Sequence, residues 1–216
     1  MYVNDIYDLQ NIQQNLSGNY ALRTFVDASV TAGWNGGAGF TPIGNDSLPF
    51  LGEFYGNGVG ITGLQINSAE QYVGLFGSNA GTIRDLYLAF SEVTGTSAFA
   101  EVGMLAGRNT GEILNILLAV DVSASGDSSY VGGIAGVNTG YIAGVRAGFL
   151  VGCQACAPDV VVAGDNIPGG AGFVGGLVGS NEGTIYRSSV EGVGVVAGGF
   201  GNDVGGLVGL NTGTVE

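Results

Sequence analysis

A twelve-residue phrase written five times constrains this chain more than any other feature. Its cleanest copy runs from Val174 to Ile185 (VGGLVGSNEGTI), and the others are Tyr72–Ile83, Val102–Ile113, Val131–Ile142 and Val204–Val215. The asparagine of the phrase falls at Asn79, Asn109, Asn138, Asn181 and Asn211, so successive steps are 30, 29, 43 and 30 residues. A fixed period in this range marks a solenoid, in which each repeat buries its apolar face only by stacking on its neighbours. After each phrase comes a β-prone continuation, such as Leu86–Phe90 or Ile116–Val120. A unit of about 30 residues with roughly three short strands and glycine or asparagine turns is one coil of a parallel β-helix, whose strands stack about 4.8 Å apart. On this reading the phrase supplies one strand, with Val174, Gly176 and Val178 alternating against Gly175, Leu177 and Gly179. The recurrent asparagines form a ladder from coil to coil, which is a structural role.

Composition narrows the field. Glycine contributes 43 of 216 residues against 4 prolines, without a Gly-X-Y period, which excludes collagen. The 45% of hydrophobic residues exclude a disordered linker. Eighteen acidic residues stand against five arginines, with no lysine or histidine, and the formal net charge is −13. That charge repels nucleic acid and anionic lipid, and its bland reading is a solubilising surface. No apolar run reaches the ~20 residues needed to span a bilayer, so membrane insertion is not expected. The first residues do not read as a basic-then-apolar signal peptide, and for a secreted protein the leader is expected to lie outside this sequence. Glu216 follows the fifth phrase at once, as in a piece of a longer repeat array.

Residues 4–16 read as a short amphipathic helix, with Ile6, Leu9, Ile12 and Leu16 on one face, Asn4 or Asp5 as cap and Gly18 as stop. Residues 1–19 are expected to form a cap over the open end of the solenoid, which then occupies 20–216. From Tyr20 the pattern becomes short β runs, with a glycine-rich loop from Ala32 to Gly39 around Trp34. Gly58, Gly60 and Gly63 spell G-x-G-x-x-G, but a β run and not a helix follows, so these are turn glycines. The step of 43 marks an insertion of about 13 residues within 151–171, and insertions in solenoids map to loops that often bind.

Candidate chemistry is sparse. Cys153 and Cys156 form a lone C-x-x-C without the further ligands a zinc site needs. In a secreted protein a disulfide clipping the loop is the economical reading, with reduced thiols as the alternative. Without histidine or lysine, serine or cysteine triads and lysine chemistry are out. Two carboxylates could still cleave a glycosidic bond, but the acidic residues are scattered singly. No catalytic residue is assigned, and enzymatic activity is not expected. Calcium could bind between acidic loops, yet neither an EF-hand loop nor a nonapeptide calcium repeat is present, and no cofactor is expected. The contact-surface candidates are Trp34, Phe54 and Tyr55, with Asp159, Asp165 and Asn166 in the insertion; the competing reading of the aromatics is core or cap packing.

The phrases GLVGSNEGTI, GLFGSNAGTI and GLVGLNTGTV resemble the GLUG-motif repeats of large secreted bacterial adhesins. The stretch from Tyr7 to Asn67 is similar to the segment that leads into such repeats in filamentous-haemagglutinin-like exoproteins. The resemblance implies an all-β, right-handed parallel β-helix, export to the cell surface and a role in adhesion or biofilm, often through two-partner secretion. It implies as partners the rest of a longer adhesin chain and surface glycans or host receptors. GLUG repeats also occur beside unrelated domains, including some secreted peptidases, as non-catalytic parts. The two functions of other classes that remain are a glycan-processing β-helix and a purely structural spacer.

Overall fold

A computed structural model describes residues 1–126, 128–148, 163–164, 172–191, 194–197 and 201–216. It is a parallel β-solenoid whose regular coils each contribute one strand to four sheets. In the copy from Val102, sheet 1 takes Glu101–Gly103, sheet 2 Ala106–Asn109, sheet 3 Glu112–Leu114 and sheet 4 Leu117–Ala124. All named strand pairs are parallel and join equivalent residues of successive coils, for example Ile83, Ile113, Ile142 and Ile185 in sheet 3. The core is therefore a set of columns. Val73, Val102, Val131 and Val174 form one, Leu105, Ile134 and Leu177 another, and all are fully buried.

The phrase thus does not make one strand. It turns two corners and feeds sheets 1, 2 and 3, because Gly175-Gly176-Leu177 bends the chain between Phe173–Gly175 and Val178–Asn181. Val174, Leu177 and Val178 are all buried, a spacing that an unbroken strand with its period of 2 does not give. The first copy is shorter by one residue at this corner. Tyr72 lies level with Glu101 and Val73 with Val102, while Phe76 lies level with Ala106.

Three glycines of the phrase are fixed by close approach. A Cβ on Gly111, Gly140, Gly183 or Gly213 would lie 2.1–2.2 Å from a carbonyl oxygen of the stacked coil below. In sheet 2, a Cβ on Gly107, Gly136, Gly179 or Gly209 would lie 2.4–2.6 Å from a sheet 1 backbone nitrogen of the preceding coil. In sheet 1, one on Gly103, Gly132 or Gly175 would meet the carbonyl of the next strand at 2.0–2.4 Å. Sheets 1 and 2 approach so closely that no side chain fits at these positions.

Register also explains the uneven repeat. Ala89 pairs with Ala119 and Ser91 with Val120, so Phe90 is an extra bulged residue, with φ of 49°, and accounts for the step of 30 against 29. Leu118 and Ser123 are five positions apart, but their partners Ala147 and Ala163 are sixteen apart. Eleven extra residues thus fall between those two registers. Ala124 and Tyr130 are six apart while Gly164 and Phe173 are nine apart, which adds three more.

At the amino-terminal end the helix α1 covers Ile6–Gln10, capped by the Asp5 carboxylate, and continues as a 3-10 turn through Asn11–Gln14. Ile6, Leu9 and Ile12 are buried in the core and Leu16 packs against it. The segment is not helical throughout, since Tyr2–Val3 precedes the helix and joins sheet 3 beside Tyr20–Leu22. The glycine-rich stretch is not an open loop either. Ser29–Gly37 winds into 3-10 turns with a kink at Trp34, Asn35 and Gly36. Among the described residues no helix is long and apolar enough to cross a membrane.

Candidate functional site

The side chains singled out in the sequence do not converge. Phe54 is wholly buried, edge-on to Phe76 at 5.6 Å, and is not a contact residue. It sits mid-strand in Glu53–Tyr55, so it points into the core while its neighbours point out. Tyr55 is half-buried, with the Arg84 guanidinium 4.2 Å from its ring centroid, and Arg84 also pairs with Glu53 at 2.6 Å. Trp34 lies between Tyr7 at 5.4 Å and Phe40 at 6.4 Å, beside a shallow cleft with Gln10, Gln13 and Gln14. The Gln10 and Gln13 amides donate to the Thr41 carbonyl, fixing the helix to the chain rather than reaching outward. Cys153, Cys156, Asp159, Asp165 and Asn166 lie outside the described residues.

The phrase asparagines form one continuous chain of side-chain hydrogen bonds. Asn79 Nδ2 donates to Asn109 Oδ1 at 2.8 Å, Asn109 to Asn138 at 2.8 Å, Asn138 to Asn181 at 2.7 Å and Asn181 to Asn211 at 2.7 Å. Each also donates to the carbonyl of the glycine two residues on. The first four are fully buried, and no buried side-chain polar atom among the described residues lacks a partner. The cost of taking these amides out of water is offset because every one is hydrogen-bonded.

Among the described residues one charged side chain, Glu101, is buried, and a half-buried arginine covers it. Arg108 Nε donates to Glu101 Oε2 at 2.8 Å, Nη2 donates to Oε1, Asp46 lies 3.4 Å from Nη1, and the guanidinium stands over Tyr72. Loss of water pushes the Glu101 carboxyl above its ordinary value, against the pull of Arg108, whereas Arg108 itself is held more firmly protonated. The two shifts point in opposite senses about the pair. The desolvation cost falls on the better-buried partner, the carboxylate, which is 3% exposed as a residue. A carboxyl whose pKa rises on folding holds extra proton in the folded state, so its contribution to stability grows as pH falls through the folded pKa toward 4.5. Lowering the pH from neutral toward 4.5 is therefore expected to move the thermal midpoint of the wild type upward relative to Glu101→Gln. An unchanged difference between the two proteins across that range would refute the assignment.

Among the described residues, a concavity with no motif to announce it runs along the outer face of sheet 4. In this sheet Tyr87 pairs with Gly60 and Leu117, Leu117 with Arg146, and Arg146 with Ser189. Phe25 stands level with Gly60, because Val26 pairs with Ile61. These positions line a groove of about 640 Å³, with Val59, Gly148 and Glu191 on its sides. They alternate with Val26, Ile61, Leu88, Leu118 and Ala147, which are buried, so the groove is the solvent side of strands whose other side is core. One residue per coil over six coils spans about 24 Å at the ordinary strand spacing. The Tyr87 ring leans over Gly60, where a Cβ would lie 2.6 Å from its Cδ1, and Gly148, at φ of 127°, lets the Glu191 backbone approach where a Cβ would lie 1.8 Å from its carbonyl oxygen. The sequence did carry a signal for this column, since Tyr87, Leu117, Arg146 and Ser189 each lie four residues after the last isoleucine of a phrase.

No family model matches the chain. Halomucin of Haloquadratum walsbyi is 32% identical over 150 residues, which is 63% of this chain and 2% of halomucin. A protein of Evansella cellulosilytica, provisionally named a Gly-rich membrane protein, is 37% identical over 116 residues, 52% of this chain and 13% of that protein. The chain thus spans only a small part of the curated relatives it matches. Among solved structures, a protein of Bacteroides ovatus provisionally named an immunoglobulin A1 protease superposes with a TM-score of 0.70 at 17% identity. The match covers all of this chain and 61% of the other, and it speaks to the fold alone.

Proposed function

We propose that the chain is a non-catalytic binding segment of a longer surface protein, a stretch of adhesin stalk that carries its own contact groove. The observation that carries this reading is the sheet 4 column, where five of six successive coils each present one side chain to a single groove and the sixth presents backbone at Gly60. A parallel stack of this kind is rigid and extensible, and a groove along its axis offers repeated weak contacts that add. The partial likeness to halomucin and to a protein named for a membrane supports a surface or secreted setting. The likeness of the phrases to GLUG-motif repeats of filamentous-haemagglutinin-like adhesins supports the same placement.

The glycan-processing alternative needs a second carboxylate within about 10 Å of the first across a sugar-binding groove. Glu191 is the sole carboxylate among the described residues that line this one. The test is retention of protein-coated beads on surfaces bearing bacterial polysaccharide or animal-cell glycoprotein, with the soluble glycans assayed in parallel for shortened products. Retention without products is the expected result. Shortened products would replace the proposal with an enzyme, and neither retention nor products would leave a spacer.

A further inference from the structure

We infer that the sheet 4 groove binds a linear neutral glycan, laid along the solenoid axis with sugar faces on Phe25 and Tyr87 and sugar hydroxyls at Arg146 and Glu191. This rests on the binding-segment reading above and names its ligand. The groove is graded along its length. Its amino-terminal half is apolar, with Phe25 50% exposed, Tyr87 half-buried and Leu117 40% exposed. Its far end is polar, with Arg146 and Glu191 both exposed. Pyranose rings have this amphipathic character, since their axial C–H bonds form an apolar face that settles on the negative face of an aromatic ring.

The charges narrow the ligand further. Arg84 and Arg108 are neutralised by carboxylates, and Arg23 and Arg187 stand over Tyr2 and Tyr186. The Arg146 guanidinium has neither a carboxylate nor a ring against it among the described residues, and the Glu191 carboxylate beside it has no ion-pair partner there. Arg146 pairs through its strand with Ser189, two residues before Glu191, so a five-donor fork and a pure acceptor stand diagonally on one face. Vicinal hydroxyls, each both donor and acceptor, match such a pair. A polyanion meets instead the carboxylate of Glu191 and the field of a chain with net charge −13.

The experiment is isothermal titration of the full chain with linear β-1,4- and α-1,4-glucan hexasaccharides and with an oligouronate of equal length. The expected result is binding of a neutral hexasaccharide, weakened about tenfold or more in Tyr87→Ala and in Arg146→Ala, in line with loss of a central contact. Trp34→Ala and Tyr55→Ala, which lie off the groove, retain the wild-type affinity. Thermal unfolding of each variant separates lost binding from lost fold. Equal affinity in folded Tyr87→Ala and Arg146→Ala, tighter binding of the uronate, or no binding of neutral glycan by the folded wild type would each overturn the inference. Bead retention that survives in the two groove variants would leave the adhesin reading standing with its contact elsewhere.

Discussion

Gly136→Ala is expected to destabilise the solenoid by about 3 kcal/mol or more, the upper range for forcing an atom into a packed interior. The added Cβ would lie 2.4 Å from Val102 N, 2.7 Å from Glu101 C and 2.8 Å from Glu101 Cα. All three are backbone atoms, so no rotamer change relieves the clash. The backbone itself is held on both sides, because Glu101 and Val102 are registered against Tyr130 and Val131, and Ala135 and Val137 against Val178 and Ser180. Any shift that makes room breaks stacked hydrogen bonds in two sheets at once. Gly33→Ala is the matched control, since a Cβ there meets nothing within 4 Å. It is expected to change stability by less than about 1 kcal/mol, with slight stabilisation from the stiffer unfolded chain. Thermal and denaturant midpoints of the two variants decide the matter, and similar midpoints would show that the sheets can part cheaply.

Much of this architecture was written in the phrase because a solenoid repeats its environment along with its sequence. An asparagine at the same place in every copy of the phrase has to meet its own kind in the next coil, and the ladder from Asn79 to Asn211 follows from that even across the step of 43. The corners were less legible. Gly175-Gly176 reads equally well as flexible strand or as bend, and only the backbone contact of sheets 1 and 2 decides for the bend. Phe54 misled because an aromatic in a short β run faces core or solvent according to a register that one sequence does not give, and its pairing with Ile83 puts it inside. The groove escaped notice for a different reason. Tyr87, Leu117, Arg146 and Ser189 share a place in the repeat but no chemistry, so they look unrelated until stacking makes them neighbours. Column membership is set by the repeat, whereas column composition is free to vary, and that freedom is where a solenoid can carry recognition.

Asn109→Ala is the second change with a large expected effect, about 2 to 4 kcal/mol. It removes the acceptor for Asn79 Nδ2 and the donor to Asn138 Oδ1, both at 2.8 Å, in a place with no exposure to water. Asn79 keeps weaker bonds to the Gly81 and Glu112 carbonyls at 3.3 and 3.4 Å, but Asn138 Oδ1 is left without its donor. An orphaned buried polar group costs about 1 to 3 kcal/mol, and two disturbed neighbours with a small cavity make up the rest. Asn211→Ala, at the exposed end of the ladder, breaks one such bond and is expected to cost less than about 1 kcal/mol. Asn109→Asp separates hydrogen bonding from packing, because it preserves shape and acceptor but loses the donor. Near neutral pH its carboxylate would face Asn138 Oδ1 in a buried site, so the variant should be at least as unstable as Asn109→Ala. Burial raises the pKa of such a carboxyl in the folded state, and a protonated one can donate again. The deficit of Asn109→Asp should therefore shrink as pH falls toward about 4, while that of Asn109→Ala stays constant. Parallel pH profiles for the two variants would mean that the asparagines fill space and that the ladder contributes little beyond packing.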